Sequence, residues 1–340
     1  MEERKIPNFK IVMPEANTLT NGDVDLSVFE NYGQVTILDH PSLEELHEAL
    51  ISADALFTNK YKIDASVLDG TSVKYIGECA TGFNNIDVDY CNEHGIVVTN
   101  VPTYSTNAVA QQTFAFILNH FSQVAKYNDF VQNDGWINAD TFAPFVFPTD
   151  ELAGKTIGLI GYGKIGKAVA KIADAFGMTV LASTRTYEKA KEAGSNTELD
   201  GFVNRAEHFV SFVSLDSLLR HSDIVSIHCP LNAQSEKLIN AENIAKMRNG
   251  AFLINTARGP IIDEDALIAA LDSGKLSGVA VDVLDVEPML ESCKLKGAKN
   301  CVITPHVAWA PKATRQRLVN EVIKNLEAYQ NGEPINKVTK

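Results

Sequence analysis

The amino-acid sequence predicts an α/β protein made of two doubly wound parallel-sheet domains. Three observations carry this expectation. Short β-rich runs alternate with helical stretches along the chain, the pattern of parallel strands joined by crossover helices. A glycine-rich turn, Gly161-Tyr162-Gly163-Lys164-Ile165-Gly166, directly follows an apolar run and opens an amphipathic stretch. The length, 340 residues, is about twice the ~150 of an ordinary domain.

The early strands are read at Lys10–Met13, Ala55–Thr58, Lys74–Glu78 and Gly95–Thr99. A long helix should follow. Ser105 is its N-cap, and Val109, Phe116, Ile117, Phe121 and Val124 recur at roughly a 3.6 period. Gly135–Asp150 is rich in Phe and Pro and lacks helical spacing. The later strands are read at Thr156–Ile160, Thr179–Ala182, Ile224–His228, Ala251–Asn255, Gly278–Val283 and Val302–Thr304. A final helix begins near Pro311, with Leu318, Val322, Ile323 and Leu326 on one face. No segment repeats with a period of 20–50 residues, and no low-complexity tract interrupts the pattern.

Composition narrows the function. With 45% hydrophobic and 21% charged residues the chain falls in the ordinary globular range. A formal net charge of −13 argues against a nucleic-acid partner, which needs a basic footprint to neutralise phosphates. No apolar run approaches the ~18 residues that read as a membrane span. The start, Met1-Glu2-Glu3-Arg4-Lys5-Ile6-Pro7, has no apolar core after its charges, unlike a secretory signal. The expectation is a cytoplasmic protein. Cys79, Cys91, Cys229, Cys293 and Cys301 form no Cys-x-x-Cys pair and are read as reduced thiols, with no metal site.

The glycine turn has the context of a dinucleotide-binding loop: strand, glycines, amphipathic helix and next strand within ~30 residues. Gly161 permits the tight turn, Gly163 lets a pyrophosphate approach the backbone, and Gly166 lets the helix pack closely on the strand. The helix start supplies amides and a partial positive charge. Which dinucleotide binds depends on the end of the second strand, where an NAD site usually carries an acid. Here the chain reads Ala182-Ser183-Thr184-Arg185-Thr186, and no acid appears before Glu188. Two hydroxyls beside Arg185 would suit a 2′-phosphate, so NADPH is favoured over NADH; otherwise Arg185 is a solvated loop residue. The polar stretch from Tyr187 to His208 is either a lid or a surface insertion.

Ligands of doubly wound sheets bind beyond the carboxyl ends of the strands. The residues following the later strands are Cys229-Pro230, then Thr256-Ala257-Arg258, then Asp282 with Glu287-Pro288, then Pro305-His306. An arginine, a carboxylate and a histidine therefore converge on one sheet edge. Their chemistry suits carbonyl reduction. The Arg258 fork would grip a carboxylate and polarise the neighbouring carbonyl. His306 would donate the proton as hydride reaches carbon. Glu287 would hold the imidazole in one tautomer.

Along nearly its whole length the sequence resembles the D-isomer-specific 2-hydroxyacid dehydrogenases. The resemblance rests on Ala80-Thr81-Gly82-Phe83-Asn84-Asn85-Ile86-Asp87, the glycine turn, Asn255-Thr256-Ala257-Arg258-Gly259, Asp282 with Glu287-Pro288, and Thr304-Pro305-His306. It implies a flavodoxin-like substrate domain (1–104 and 310–340), a Rossmann dinucleotide-binding domain (105–309) and a cleft between them. It also implies that Arg258 binds substrate, His306 is the acid/base and Glu287 is its partner. It places Thr81, Lys164, Ile165, Cys229, Pro230, Thr256, Ala257 and Asp282 at an NAD(P)(H) cofactor, with Thr184 departing from the acid that NAD-preferring members carry. Thr81 and Gly82 would offer amides to the substrate carboxylate.

Within the family, Trp309, Thr58-Asn59-Lys60 and the loop from Cys79 to Asn84 are most similar to members acting as glycerate dehydrogenase, also called hydroxypyruvate reductase. Asn59 and Lys60 would reach a hydroxymethyl or second anionic group, or else are loop residues. Trp136, Phe142, Phe145 and Phe147 are read as packing or dimer contact rather than pocket, and similar members are homodimers. A phosphoglycerate dehydrogenase with a regulatory domain would need more chain, and a formate dehydrogenase would carry Gln in place of Glu287. A D-lactate or aromatic 2-hydroxyacid dehydrogenase stays open. So does a dinucleotide-sensing corepressor on the same fold.

Overall fold

The computed structural model describes residues 8–185 and 209–340. The stretch from Tyr187 to His208, with Glu188, lies outside the described residues. The chain divides into two compact units, Met1–Ser105 with Ala310–Lys340, and Thr106–Trp309.

The first unit holds β1 (Lys10–Met13), β2 (Gln34–Ile37), α1 (Leu43–Leu50), β3 (Ala55–Thr58), α2 (Ala65–Leu68), β4 (Tyr75–Glu78), α3 (Val88–Glu93), β5 (Val97–Thr99) and, from the far end of the chain, the helix Lys312–Gln330. The five strands are parallel in the order β2-β1-β3-β4-β5, the flavodoxin-like order, with its switch point between β1 and β3. The central strands β3 and β4 are buried along their whole length, as expected for strands covered on both faces. On one face Val12, Leu46, Leu50, Leu56, Ile76 and Val98 form the core. On the other, the rings of Phe29, Phe57 and Tyr75 meet edge to face at 5.0 and 5.7 Å, and Tyr75 stacks on Tyr329 at 4.5 Å. Tyr329 brings the terminal helix onto β4, so residues from both ends of the chain share this core.

The second unit begins with α4 (Thr106–Ser122) and α5 (Val124–Gln132), where the sequence predicts one helix. Gln123 breaks it. Its φ is +52° and its side-chain amide donates to the carbonyl of His120 at 2.6 Å, closing the first helix. The apolar spacing runs on to Val124 but the buried face does not, and Val124 is 67% exposed. Then come β6 (Thr156–Ile160), α6 (Lys164–Ala175), β7 (Thr179–Ser183), β8 (Val210–Phe212), α7 (Leu215–His221), β9 (Ile224–Ile227), α8 (Ala241–Lys246), β10 (Ala251–Asn255), α9 (Glu264–Asp272), β11 (Leu276–Val281) and β12 (Cys301–Ile303).

Seven parallel strands run in the order β12-β11-β10-β9-β6-β7-β8. The order reverses between β6 and β9, the switch point of a doubly wound nucleotide-binding sheet. Two apolar layers sandwich it. One contains Leu218, Val225, Leu253 and Val279, and the other Phe114, Ile157, Val169, Val180 and Ile254. Among the described residues no helix is long and apolar enough to cross a membrane.

Candidate active site

The glycine turn occupies the switch point of the seven-stranded sheet, and each glycine has its own physical reason. Gly161 has φ +100°, and a Cβ there would lie 2.7 Å from the carbonyl of His228 and 2.8 Å from the N of Cys229. The turn is therefore pressed against the end of β9, while the Gly161 N–H donates to Ser183 at the end of β7. A Cβ on Gly166 would meet the carbonyl oxygen of Gly161 at 2.4 Å, so α6 packs directly on the turn. Gly163 differs: a Cβ there would meet nothing within 4 Å. It is the N-cap of α6, and no side chain caps the helix. The first-turn N–H groups around Lys164 and Ile165 thus border open space, where a side chain would intrude and an anion would be stabilised.

A second feature points to a ligand on the same edge. The hydroxyl of Thr256, just beyond β10, is buried without a hydrogen-bond partner. Buried polar groups are normally paired, so this one is poised for an external partner. The open cradle at Gly163 and the Thr256 hydroxyl both fit a dinucleotide lying across the switch point. At the end of β7 Ser183 is buried, and beyond it Thr184 is half-buried and Arg185 exposed, with no carboxylate among them. Beyond β9, Cys229 is half-buried and Pro230 exposed; burial pushes the Cys229 thiol above its ordinary pKa, so it stays protonated.

The three chemically active groups come after adjacent strands. After β10, the buried side chain of Asn255 ties the turn together: it accepts from the Ala257 N–H at 3.0 Å and donates to the Arg258 carbonyl at 2.8 Å. Arg258 is half-buried, and its guanidinium donates to the Ala257 carbonyl at 2.7 Å. After β11, Glu287 accepts from the Leu284 N–H at 2.9 Å through one oxygen. Its other oxygen lies 2.6 Å from Nδ1 of His306, which comes after β12. Arg258, Glu287 and His306 are thus delivered to one edge by β10, β11 and β12, which are neighbours in the sheet.

His306 has a φ of +54°, a conformation uncommon for a residue with a Cβ. Asp282 holds it there. The Asp282 carbonyl accepts from the His306 N–H at 2.7 Å, and its buried carboxylate accepts from Thr304 Oγ1 and from the N–H groups of Val307 and Ala308, both at 2.9 Å. Burial raises the Asp282 pKa, and the hydrogen bonds from Thr304, Ala308 and Val307 oppose the rise. This organising role is absent from the sequence reading, which places Asp282 at the cofactor. Its carboxylate makes its contacts within the segment that carries His306. Trp309 is half-buried and ends this unit.

The remaining candidates belong to the first unit. Thr81 is exposed; its hydroxyl donates to the Val101 carbonyl at 2.7 Å, and its own carbonyl accepts from Asn100 at 2.7 Å. Gly82 is half-buried beside it. Asn59 is only 5% exposed and its amide donates to Thr18 Oγ1 at 3.1 Å, so that side chain is committed inside the unit, whereas Lys60 is exposed. Sequence reasoning overlooks Glu15, whose carboxylate lies under this loop. The signal available was its position, two residues beyond the apolar β1.

Residues 114–308 match the family described as D-isomer specific 2-hydroxyacid dehydrogenase, NAD binding domain. The hydroxypyruvate reductase of Blautia hydrogenotrophica is 38% identical over 335 residues, covering 97% of this chain and 100% of that protein. A glyoxylate reductase of Aeropyrum pernix is 35% identical over 325 residues, 95% of this chain and 91% of that protein. Among solved structures, the D-lactate dehydrogenase from Aquifex aeolicus complexed with NAD and lactic acid is similar with a TM-score of 0.78. It is 29% identical and covers 95% of this chain and 96% of that one.

Proposed function

This chain belongs to the D-isomer-specific 2-hydroxyacid dehydrogenase family, and from that premise we propose that it reduces a small 2-oxo acid, hydroxypyruvate or glyoxylate, to the corresponding 2-hydroxy acid. The unit Thr106–Trp309 is the dinucleotide-binding domain in this reading, and the other unit is the substrate domain. The observation that carries the reading is the delivery of Arg258, Glu287 and His306 to one edge by three adjacent strands, beside an open glycine cradle.

Gly161, Gly163, Gly166 and Thr256 would hold a nicotinamide dinucleotide, which would supply the hydride for the carbonyl carbon. The guanidinium of Arg258 grips the substrate carboxylate and polarises the adjacent carbonyl oxygen. With Nδ1 of His306 turned to Glu287, Nε2 is the nitrogen left to give its proton to that oxygen as negative charge develops. Glu287 fixes the ring and faces the positive charge it carries before transfer. The 2-hydroxy acid leaves, and His306 regains a proton from water.

The cofactor is NADPH in preference to NADH: Ser183, Thr184 and Arg185 stand where an acid would repel a 2′-phosphate. The protein acts as a homodimer through the arm after α4. No residue of α5 is buried, and Trp136, Ile137, Phe142 and Phe145 are 54%, 80%, 92% and 94% exposed. That is a large apolar surface for a lone chain. Steady-state oxidation of NADPH and NADH with hydroxypyruvate, glyoxylate, pyruvate and phenylpyruvate tests the reading. Fast NADPH-linked reduction of hydroxypyruvate or glyoxylate supports it. Cofactor binding without turnover of any acid would point instead to a dinucleotide sensor.

A further inference from the structure

We propose that Glu15 is a positioning residue for substrate selection: it fixes the loop that carries Lys60 and so sets the preference for 2-oxo acids bearing an oxygen on C3. The inference rests on the 2-oxo-acid reductase reading above. Its basis is a single carboxylate oxygen. Oε1 of Glu15 accepts from Thr58 Oγ1 at 2.8 Å and from three successive backbone N–H groups, those of Asn59, Lys60 and Tyr61, at 2.5, 2.6 and 3.2 Å. Successive N–H groups aimed at one point make an anion-binding concavity. This one lies at the carboxyl ends of β1 and β3, the switch point of the five-stranded sheet, where such sheets receive ligands. Here the chain fills it with its own carboxylate, which is 7% exposed.

Glu15 is itself held from two sides. Its carbonyl accepts from the N–H and hydroxyl of Thr18 at 2.9 and 2.8 Å, and its backbone bridges to Asp39 beyond β2. The grip extends onward to the next loop. Asn85 donates to the carbonyl of Tyr61 and to Oε2 of Glu78, both at 3.1 Å, and its own carbonyl accepts from the Ile63 N–H at 2.8 Å. Asn85 belongs to the same loop as Thr81 and Gly82. The segment bearing Lys60 is therefore laced to the Thr81–Gly82 segment on one side and anchored to Glu15 on the other. Lys60 is the exposed residue of that segment, carried on a backbone whose neighbouring amides all end on Glu15. The Lys60 ammonium, carried on this fixed backbone, would recognise a hydroxymethyl oxygen, which hydroxypyruvate has and glyoxylate lacks.

The test compares kcat and KM for hydroxypyruvate and glyoxylate in wild type, Glu15→Ala and Glu15→Gln. Dinucleotide affinity and the thermal midpoint are measured in parallel. The alanine variant should lose about tenfold in the ratio of kcat/KM for hydroxypyruvate over glyoxylate, through KM for hydroxypyruvate. Its dinucleotide affinity should be unchanged. The glutamine variant keeps an accepting oxygen and should recover most of the ratio. Should the alanine variant fail to fold, Glu15→Met, which keeps the volume but offers no accepting carboxylate, carries the test in wild-type and Lys60→Ala backgrounds. Its effect on the ratio should then vanish once Lys60 is removed, and an equal effect in both backgrounds would overturn the proposal. Parallel losses on both acids with a lowered midpoint would make Glu15 merely structural and overturn this inference alone. A wild-type protein that reduces neither acid would overturn the 2-oxo-acid reductase reading and this inference with it.

Discussion

The carboxylate of Glu287 lies 2.6 Å from Nδ1 of His306, while its second oxygen is pinned by the N–H of Leu284 at 2.9 Å. The pair joins the segments beyond two neighbouring strands, so the imidazole is oriented from β11 as well as by its own segment beyond β12. Replacing Glu287 by Gln keeps the shape and removes the negative charge opposite the ring. A hydrogen bond to a charged group is worth about 1.5–3 kcal/mol. Glu287→Gln should therefore lower kcat for 2-oxo-acid reduction about 10- to 100-fold, with KM little changed. Wild-type turnover in this variant would remove Glu287 from the chemistry.

The glycine turn offers a contrast within one motif. A methyl added at Gly163 meets open space, whereas one added at Gly166 meets the Gly161 carbonyl at 2.4 Å. Gly163→Ala should leave stability within about 0.5 kcal/mol, as for other substitutions that disturb no contact, yet weaken dinucleotide binding at least about tenfold. Gly166→Ala should cost about 1–3 kcal/mol of stability through overpacking. Denaturant unfolding and fluorescence titration with NADPH separate the two effects. Equal loss of stability in both variants would contradict the assignment of Gly163 to the ligand.

Two histidines make stability depend on pH. Burial holds His120, stacked on Phe252 at 4.0 Å, and His228, beside the glycine turn, at a pKa of about 4; the charge of Lys126 adds to the effect at His120. Unfolded histidine titrates near ~6.5, so between these values the unfolded chain binds more protons than the native one. Stability is full above about pH 6.5 and falls as pH drops toward 4. Asp23, held at about 2 by Arg315, adds its own loss at lower pH, as pH falls from about 4, the ordinary carboxylate value, toward 2. The denaturant midpoint should be lower at pH 5 than at pH 7.5, and His120→Gln should narrow the gap. An unchanged gap in that variant would assign the window to other groups.

The exposed arm predicts the assembly state. Glutamate at both Phe142 and Phe145 should shift the protein from dimer to monomer in sedimentation at micromolar concentration, with NADPH affinity retained. A wild-type protein that sediments as a monomer would refute the dimer reading.

The central strands were legible in the sequence because β3, β4, β6, β9 and β10 are buried along nearly their whole length and read as short, mainly apolar runs. The edge strand β2 was not legible, since Gln34, Thr36 and Ile37 are exposed and leave no apolar pattern. Nor was the break at Gln123, where neither Gly nor Pro marks the turn and apolar spacing runs on to Val124. The Glu287–His306 contact was foreseeable because parallel strands deliver the residues beyond their carboxyl ends to one edge. The carboxylates of Glu15 and Asp282 were harder to interpret: their partners are mostly backbone N–H groups, which carry no side-chain signature in sequence.

Delivery of the proton by His306 is the step on which the proposed 2-oxo-acid reduction depends. Steady-state reduction of hydroxypyruvate by wild type and His306→Ala, with NADPH affinity measured on both, puts it to the sharpest test. In the variant kcat should fall about 10²–10⁴-fold, the usual worth of a general acid/base, at unchanged cofactor affinity. Turnover near wild type would contradict the assignment.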